Sequence, residues 1–273
     1  FASCGFKVYL YETLVPVPVL SFTTAHLGCT AGVMITASHN PPKYNGIKFL
    51  DEYGIGIPDE MDLAIEELYF DGEPKRAEWF EIGQVYSNDK IIDEYIDEAI
   101  SKVDADAIRK ANLKVVVDCG SGAGAYTAPY LIRKLGCEVT TLNCQADGAF
   151  PGRDPEPIEE NLQELIGVVK ELGADIGLAH DGDADRTICI DEKGNLIDGD
   201  KIMFICADYL KDKGLLSKNT LVTTVMTNLG LVLAAKEKGI NIAQTNVGDR
   251  YVLENMKENG YMIGGESGVN EIP

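Results

Sequence analysis

Short apolar runs rich in β-branched residues recur along the chain, separated by longer stretches in which apolar residues return every three or four positions. The first pattern suits strands and the second suits helices that bury one face, so the alternation predicts α/β layering rather than a sandwich or a helical bundle. FKVYLY, GVMITAS and IKFL read as strands, with PVPVLSFTTAHLG between the first two as a helix. Its prolines lie near its start and Gly28 closes it, as helix ends require. IPDEMDLAIEELYF, with Pro58 early and acids in its first turn, predicts another helix, and a mixed segment runs to about Ala105.

The clearest rhythm follows. LKVVVD, CEVTTLN and ADIGLAH read as strands, separated by a GSGAG loop with the helix AYTAPYLIRKLG and by the helix PIEENLQELIGVVKELG. This βαβαβ order predicts a mainly parallel sheet with right-handed crossovers. TICIDEKGNLI folds back as a hairpin over Lys193 and Gly194. From Asp200 the rhythm repeats: helix KIMFICADYLKDKG, strand TLVTTVM, helix LGLVLAAKEKG, strand INIAQTNV, helix DRYVLENMKENG, strand YMIGGE. The expected architecture is a row of similar α/β modules with mixed, mainly parallel sheets sandwiched by helices. The boundaries fall at 1–104, 105–199 and 200–273, with the first module incomplete at its N-terminus and the third at its C-terminus.

The first two modules share a feature. A strand, a polar loop, a second strand and an Asp-Glu-x-Gly turn occur in both, at Asp51–Gly54 and at Asp191–Gly194. Duplicated modules would place the two polar loops at equivalent sheet ends, where ligands collect in open α/β sheets.

Composition narrows the function. With 44 acidic against 24 basic side chains, the formal charge is −20, which argues against nucleic acid or an anionic membrane as the main partner. No apolar run approaches the roughly 20 residues of a membrane helix. The seven cysteines (Cys4, Cys29, Cys119, Cys137, Cys144, Cys189, Cys206) are scattered without a C-x-x-C pair, which predicts mostly buried thiols in a reducing cytoplasm. A soluble cytoplasmic chain, monomeric or weakly dimeric, is expected.

HDGDADR (180–186) follows a predicted strand and offers Asp181, Asp183 and Asp185 at alternate positions. Such carboxylates repel one another unless a hard cation lies among them, and oxygen ligands suit Mg²⁺ or Ca²⁺. A solvated acidic turn is the simpler alternative, weakened by the apolar flanking strands. An EF-hand matches through Glu192 but fails where Arg186 replaces the turn glycine and where strands replace the flanking helices. TASHNPPKYNGIK (36–48) holds Ser38 beside His39, two prolines that stop any regular element, and a turn that returns Lys48. A serine hydroxyl needs a base or a metal to react. Without a G-x-S-x-G elbow an acyl-transfer triad is disfavoured, and serine with Mg²⁺ points to phosphoryl transfer. The GSGAG loop (120–124) imitates a dinucleotide fingerprint, but no ribose-binding acid ends the next strand.

TASHNPPKYNGIK and DGDADR, in this order with a βα module between them, resemble the α-D-phosphohexomutases: phosphoglucomutase, phosphomannomutase and phosphoglucosamine mutase. TVMTNLGL, VGDRYV and GGES extend the likeness over nearly the whole chain. The resemblance implies that Ser38 is a phosphoserine and that its phosphate joins Asp181, Asp183 and Asp185 around one Mg²⁺ per chain, with Arg186 assisting. Lys48 would be the general acid/base and His39 a neighbour that orients phosphate or proton. The implied reaction interconverts hexose 1-phosphate and hexose 6-phosphate, of glucose or mannose, through a hexose 1,6-bisphosphate. Phosphoglucosamine is the alternative substrate.

Gly248, Asp249 and Arg250 resemble a specificity loop. Glu266 and Ser267 resemble a sugar-gripping G-E-x-S-G loop that is one residue short here. An opening strand and a fourth domain that the family leads one to expect are missing, so a poorly active fragment is implied. The rivals from other classes are a non-catalytic divalent-cation module and a phosphatase using Asp181 as nucleophile.

Overall fold

In the computed structural model, which describes residues 1–88 and 90–266, the predicted alternation becomes four sheets among the described residues. The first module contains β1 (Val8–Leu10), α1 (Val17–His26), β2 (Gly32–Ile35), β3 (Ile47–Leu50), α2 (Asp59–Asp71), β4 (Val85–Ser87) and α3 (Ile91–Ser101). Pro16 caps α1 and Pro18 lies in its first turn, where a missing N–H costs nothing. β1 pairs with β4 in parallel, whereas β2 and β3 form an antiparallel pair in which Met34 faces Lys48. α1 packs on α3 around Val15, Val19 and Ile91.

The second module holds α4 (Ala105–Ala111), β5 (Lys114–Asp118), α5 (Ala128–Lys134), β6 (Glu138–Leu142), α6 (Gln163–Leu172), β7 (Ile176–His180), β8 (Thr187–Asp191) and β9 (Leu196–Ile197). Its strands lie in the order β6-β5-β7-β8-β9. β5 runs parallel to both neighbours, and β8 and β9 return antiparallel, as the hairpin at Lys193–Gly194 predicts. Val115, Val116 and Val117 of β5 are buried on alternate faces, and each face supports its own apolar cluster. This double burial is why the strand reads as an unbroken apolar run. The helix expected over AYTAPYLIRKLG splits into a 3₁₀ turn, Ala123–Tyr126, and α5. Pro129 sits in the first turn of α5, because deeper in a helix its ring would clash with the preceding turn.

The third module contains α7 (Gly199–Asp212), β10 (Thr220–Thr224), α8 (Leu229–Glu237), β11 (Asn241–Thr245), α9 (Asp249–Asn259) and β12 (Ile263–Gly264). Its parallel sheet has the order β11-β10-β12. The side chains of Asp198 and Asn228 accept from Lys201 N and Leu231 N and so cap α7 and α8.

The repeated Asp-Glu-x-Gly turns are alike down to their hydrogen bonds. Asp51 Oδ1 accepts from Tyr53 N and Ile55 N, and Asp191 Oδ1 accepts from Lys193 N and Asn195 N. The cysteines depart from expectation. All seven are free, but only Cys119 is fully buried, and Cys206 is exposed because it lies on the outer side of α7.

Candidate active site

The chain leaves β7 at His180 and turns through residues 181–186 into β8. Ala184 takes a left-handed conformation (φ 55°) at the tip. The turn gathers the carboxylates of Asp181, Asp183 and Asp185 so that one oxygen of each lies within 4.8 Å of the others. Asp181 is 0% and Asp183 3% exposed. Burial, then the neighbouring carboxylates of Asp185 and Asp183, push the Asp181 carboxyl up to about 7, and Asp183 is raised by burial and by Asp185. Asp183 Oδ1 is buried without a hydrogen-bond partner. Three converging carboxylates, with one buried oxygen left unsatisfied, are costly by themselves and fit a hard divalent cation with oxygen ligands.

The serine loop meets this turn directly. Thr36, just past β2, donates through Oγ1 to Asp183 Oδ2 (2.9 Å) and accepts from Ser38 N (2.8 Å), so one hydroxyl ties the two loops together. Ser38 holds a left-handed backbone (φ 53°) and donates through Oγ to Asp181 Oδ2 at 3.3 Å. His39 Nδ1 lies 3.3 Å from the same hydroxyl. Lys48 Nζ donates to Asp185 Oδ2 at 2.9 Å. Burial pulls the Lys48 ammonium down, but Asp185, Asp183 and Asp249 together outweigh it and leave it raised, so Lys48 is held charged. The contact between loops is tight: a Cβ on Gly182 would stand 2.4 Å from the carbonyl oxygen of Ser38. At its other side the metal turn receives the N-terminus of α1, whose Val17 N–H donates to the Asp183 carbonyl.

Behind the turn stands a buttress that motif reading did not find. Ala123 N donates to Gly182 O, and a Cβ on Gly122 would meet that same oxygen at 2.4 Å. The GSGAG glycines therefore serve close approach to the metal turn. Arg153 Nε donates to Asp118 Oδ2 at 3.0 Å, with the two side chains 4% and 1% exposed. Its Nη2 donates to the carbonyl of His180, the residue before Asp181. Asp118 also accepts from Gly120 N and Asn143 Nδ2, so this buried ion pair is well satisfied.

The residues expected at the sugar end are arranged differently. Glu266 Oε2 accepts from Gly248 N at 2.8 Å, joining the two anticipated specificity loops. Gly248 has φ 129°, and Asp249 opens α9 and lies near enough to Lys48 to raise it. Arg250, expected in a specificity loop, is held here by an ion pair. Its guanidinium grips both carboxylate oxygens of Asp59, at 2.8 and 3.2 Å, and so links the third module to the start of α2. Arg186 faces Glu156 at 3.8 Å, while its backbone N–H donates to Asp181 Oδ1. Ser267 lies outside the described residues.

Models of the three phosphoglucomutase/phosphomannomutase alpha/beta/alpha domains match this chain: domain I over residues 1–76, domain II over 93–194 and domain III over 198–269. The chain belongs to the phosphoglucomutase/phosphomannomutase family. It is 46% identical over 254 residues to a phosphoglucomutase/phosphomannomutase of Thermococcus kodakarensis, with 93% of this chain and 55% of the relative covered. A phosphoglucosamine mutase of Desulforamulus reducens is 44% identical over 271 residues, covering 97% of this chain and 59% of its own length. The chain thus spans little more than half the length of these curated relatives. Among solved structures, one described as a phosphomannomutase from Thermus thermophilus superposes with a TM-score of 0.85 at 29% identity, over 96% of this chain and 59% of that one. No helix among the described residues is long and apolar enough to cross a membrane.

Proposed function

We propose that this chain carries the phosphoryl-transfer centre of a Mg²⁺-dependent mutase that interconverts hexose 1-phosphate and hexose 6-phosphate. The observation that carries the reading is the approach of Ser38 Oγ to Asp181 Oδ2, 3.3 Å across 143 residues of sequence. A serine delivered to a buried carboxylate cluster, with a charged lysine on the same cluster, suits phosphoryl transfer better than passive cation storage.

Asp181, Asp183, Asp185 and a phosphate on Ser38 would hold the Mg²⁺, which when bound supplies charge neutralisation for that phosphate. Ser38 Oγ is the carrier: its phosphate passes to the free hydroxyl of a hexose monophosphate, giving the 1,6-bisphosphate and a free serine. The sugar then turns over and returns its other phosphate to Ser38. Lys48, held as an ammonium, is placed to give a proton to the departing serine oxygen and to recover one from the attacking sugar hydroxyl, with the roles of the two oxygens exchanged on return. His39 fixes the Ser38 hydroxyl from its other side. Glu266 and Gly248, already joined, would present one polar surface to sugar hydroxyls, with Asp249 beside them, while Arg250 and Arg186 shape the site from their ion pairs. The three modules, read as residues 1–104, 105–199 and 200–273, would each contribute side chains to this site.

Intact-mass measurement tests this. The protein should carry one phosphate that disappears in Ser38→Ala, and hexose 1,6-bisphosphate should restore it to dephosphorylated wild type. Phosphate on an aspartate, or none under any condition, would sink the proposal. Competition between glucose, mannose and glucosamine phosphates for the phosphorylated protein identifies the preferred sugar.

A further inference from the structure

Two cysteines far apart in sequence end up in contact beside the buttress of the metal turn. Cys119 follows the interior strand β5, and Cys144 lies just past the edge strand β6. Their Sγ atoms are 3.1 Å apart. The register explains the meeting. β5 and β6 run parallel with Asp118 opposite Leu142, so Cys119 is level with Asn143. Asn143 adopts a left-handed conformation (φ 49°) that breaks the strand alternation and turns Cys144 back toward Cys119. Neighbouring strands stand about 4.8 Å apart and successive residues advance about 3.3 Å, so residues offset by one position on adjacent strands have Cα atoms roughly 6 Å apart, within the about 4.4–6.8 Å that a disulfide spans.

We propose that Cys119 and Cys144 form a redox-active dithiol, a modification site that closes to an intramolecular disulfide on reaction with a low-molecular-weight disulfide such as oxidised glutathione. The two thiols have different duties. Cys144, two residues past the edge strand, is near the exposed stretch 147–149 in sequence and is partly accessible, whereas Cys119 is 0% exposed. Access decides the order: Cys144 is the half-buried thiol that an oxidant can reach, and it attacks as its thiolate, whereas contact with Cys144 and burial raise Cys119. That thiolate attacks one sulfur of the oxidant, forming a mixed disulfide and releasing one thiolate. Cys119 then attacks Cys144 Sγ and expels the second. The protein gives up two electrons, the oxidant's S–S bond is replaced by the protein's, and both thiol protons leave on the released thiols.

The bond would form within the loop pair that supports the metal turn. Ser121 N donates to Asn143 O, and the neighbouring Asp118 holds Arg153. Closure draws the sulfurs together by about 1 Å, to roughly 2.05 Å. The inference stands independently of the mutase reading, because its test reads covalent structure alone.

The full-length native protein is incubated with excess oxidised glutathione, quenched, alkylated under denaturing conditions and mapped by mass spectrometry. The expected result is a Cys119–Cys144 cross-linked peptide, reversed by dithiothreitol. Cys144→Ser should lack it, and Cys206→Ser, altered at an exposed thiol, should retain it. Cys119→Ala should stop at a stable glutathione adduct on Cys144, which is readable even if Cys144→Ser folds poorly. The proposal is overturned if wild type keeps both thiols alkylatable, holds a lasting adduct on Cys144, or links either cysteine to a different partner.

Discussion

The hairpins β2–β3 and β7–β8 carry the two halves of the candidate site on the same plan, a strand pair followed by an Asp-Glu-x-Gly turn with matching hydrogen bonds. Their surroundings differ. β7–β8 belongs to a five-stranded sheet, and its loop buries Asp181 and Asp183, whereas β2–β3 is a two-stranded ladder whose loop is exposed from Asn40 through Ile47. Under the proposed function the difference follows from the work each loop would do. Carboxylates that must stay close despite repulsion need a stiff, dry setting, whereas a side chain that exchanges a group with a substrate needs access from solvent. Arg153 and Asp118 supply that stiffness to the metal hairpin alone. Arg153→Met should therefore have the largest effect, about 3–5 kcal/mol of lost stability, since it leaves Asp118 buried and unpaired. Calorimetric unfolding measures this. Most of the loss should return in the Arg153→Met, Asp118→Leu double variant; a loss below about 1 kcal/mol, the range of an exposed pair, would mean that the buttress is not what stiffens the turn.

The two turns also sharpen the contrast. Gly54 and Gly194 both have positive φ, 76° and 83°. A Cβ on Gly54 would stand 2.1 Å from the backbone oxygen of Ser21, whereas one on Gly194 would meet the flexible end of Lys170. Gly54→Ala should cost about 2–4 kcal/mol, from left-handed strain together with overpacking, and Gly194→Ala about 1–2 kcal/mol from strain alone. Denaturant midpoints with unchanged m-values give both numbers, and equal costs would contradict the steric account.

Much of this was readable from sequence because it is local. Alternating acids between apolar strands, a serine followed by two prolines, and D-x-x-G turns each declare themselves within a dozen residues. The parallel pairing of β5 with β6 and β7 follows from the βαβαβ rhythm in the same way. What stayed hidden depends on partners that no local pattern names. Thr36 reaches Asp183 across 147 residues, and Arg153 reaches Asp118 across 35. Arg250 resembles a specificity-loop residue at a helix start, and no local pattern shows that Asp59, 191 residues away, pairs with it. The glycines of GSGAG signalled close approach without saying to what, and the answer is Gly182 of the metal turn.

The seam between the hairpins can be pried open at Gly182. Its Cβ would overlap the Ser38 carbonyl, so Gly182→Ala should push the serine away from the triad while leaving the carboxylates gathered. A misplacement near 1 Å can cost about 100-fold in rate. The expected outcome is a fall of about that size in transfer of phosphate from Ser38, followed by rapid quench, with cation affinity changed only a few-fold. Equal losses in both would show that the two hairpins are one rigid unit.

The smallest effect carries a change of sign. Asp183 is raised by burial first and by Asp185 next, so in the metal-free protein its charge opposes folding. A carboxyl whose folded pKa lies above its unfolded one destabilises the fold at pH values above the folded pKa, and the penalty fades as pH falls toward the unfolded value. Asp183→Asn should therefore raise metal-free stability by on the order of 1 kcal/mol at about pH 8 and by progressively less as the solution is acidified toward about pH 4. Adding Mg²⁺ should reverse the ranking. Wild type gains RT ln(1 + [Mg²⁺]/Kd), about 2.7 kcal/mol at a hundredfold excess over Kd, while the variant, short of one ligand, gains little. Thermal melts with and without Mg²⁺ at the two pH values read all four quantities. A variant less stable than wild type in EDTA at the higher pH would show that Thr36, which donates to Asp183, rather than a bound cation, is the reason for a carboxylate at this position.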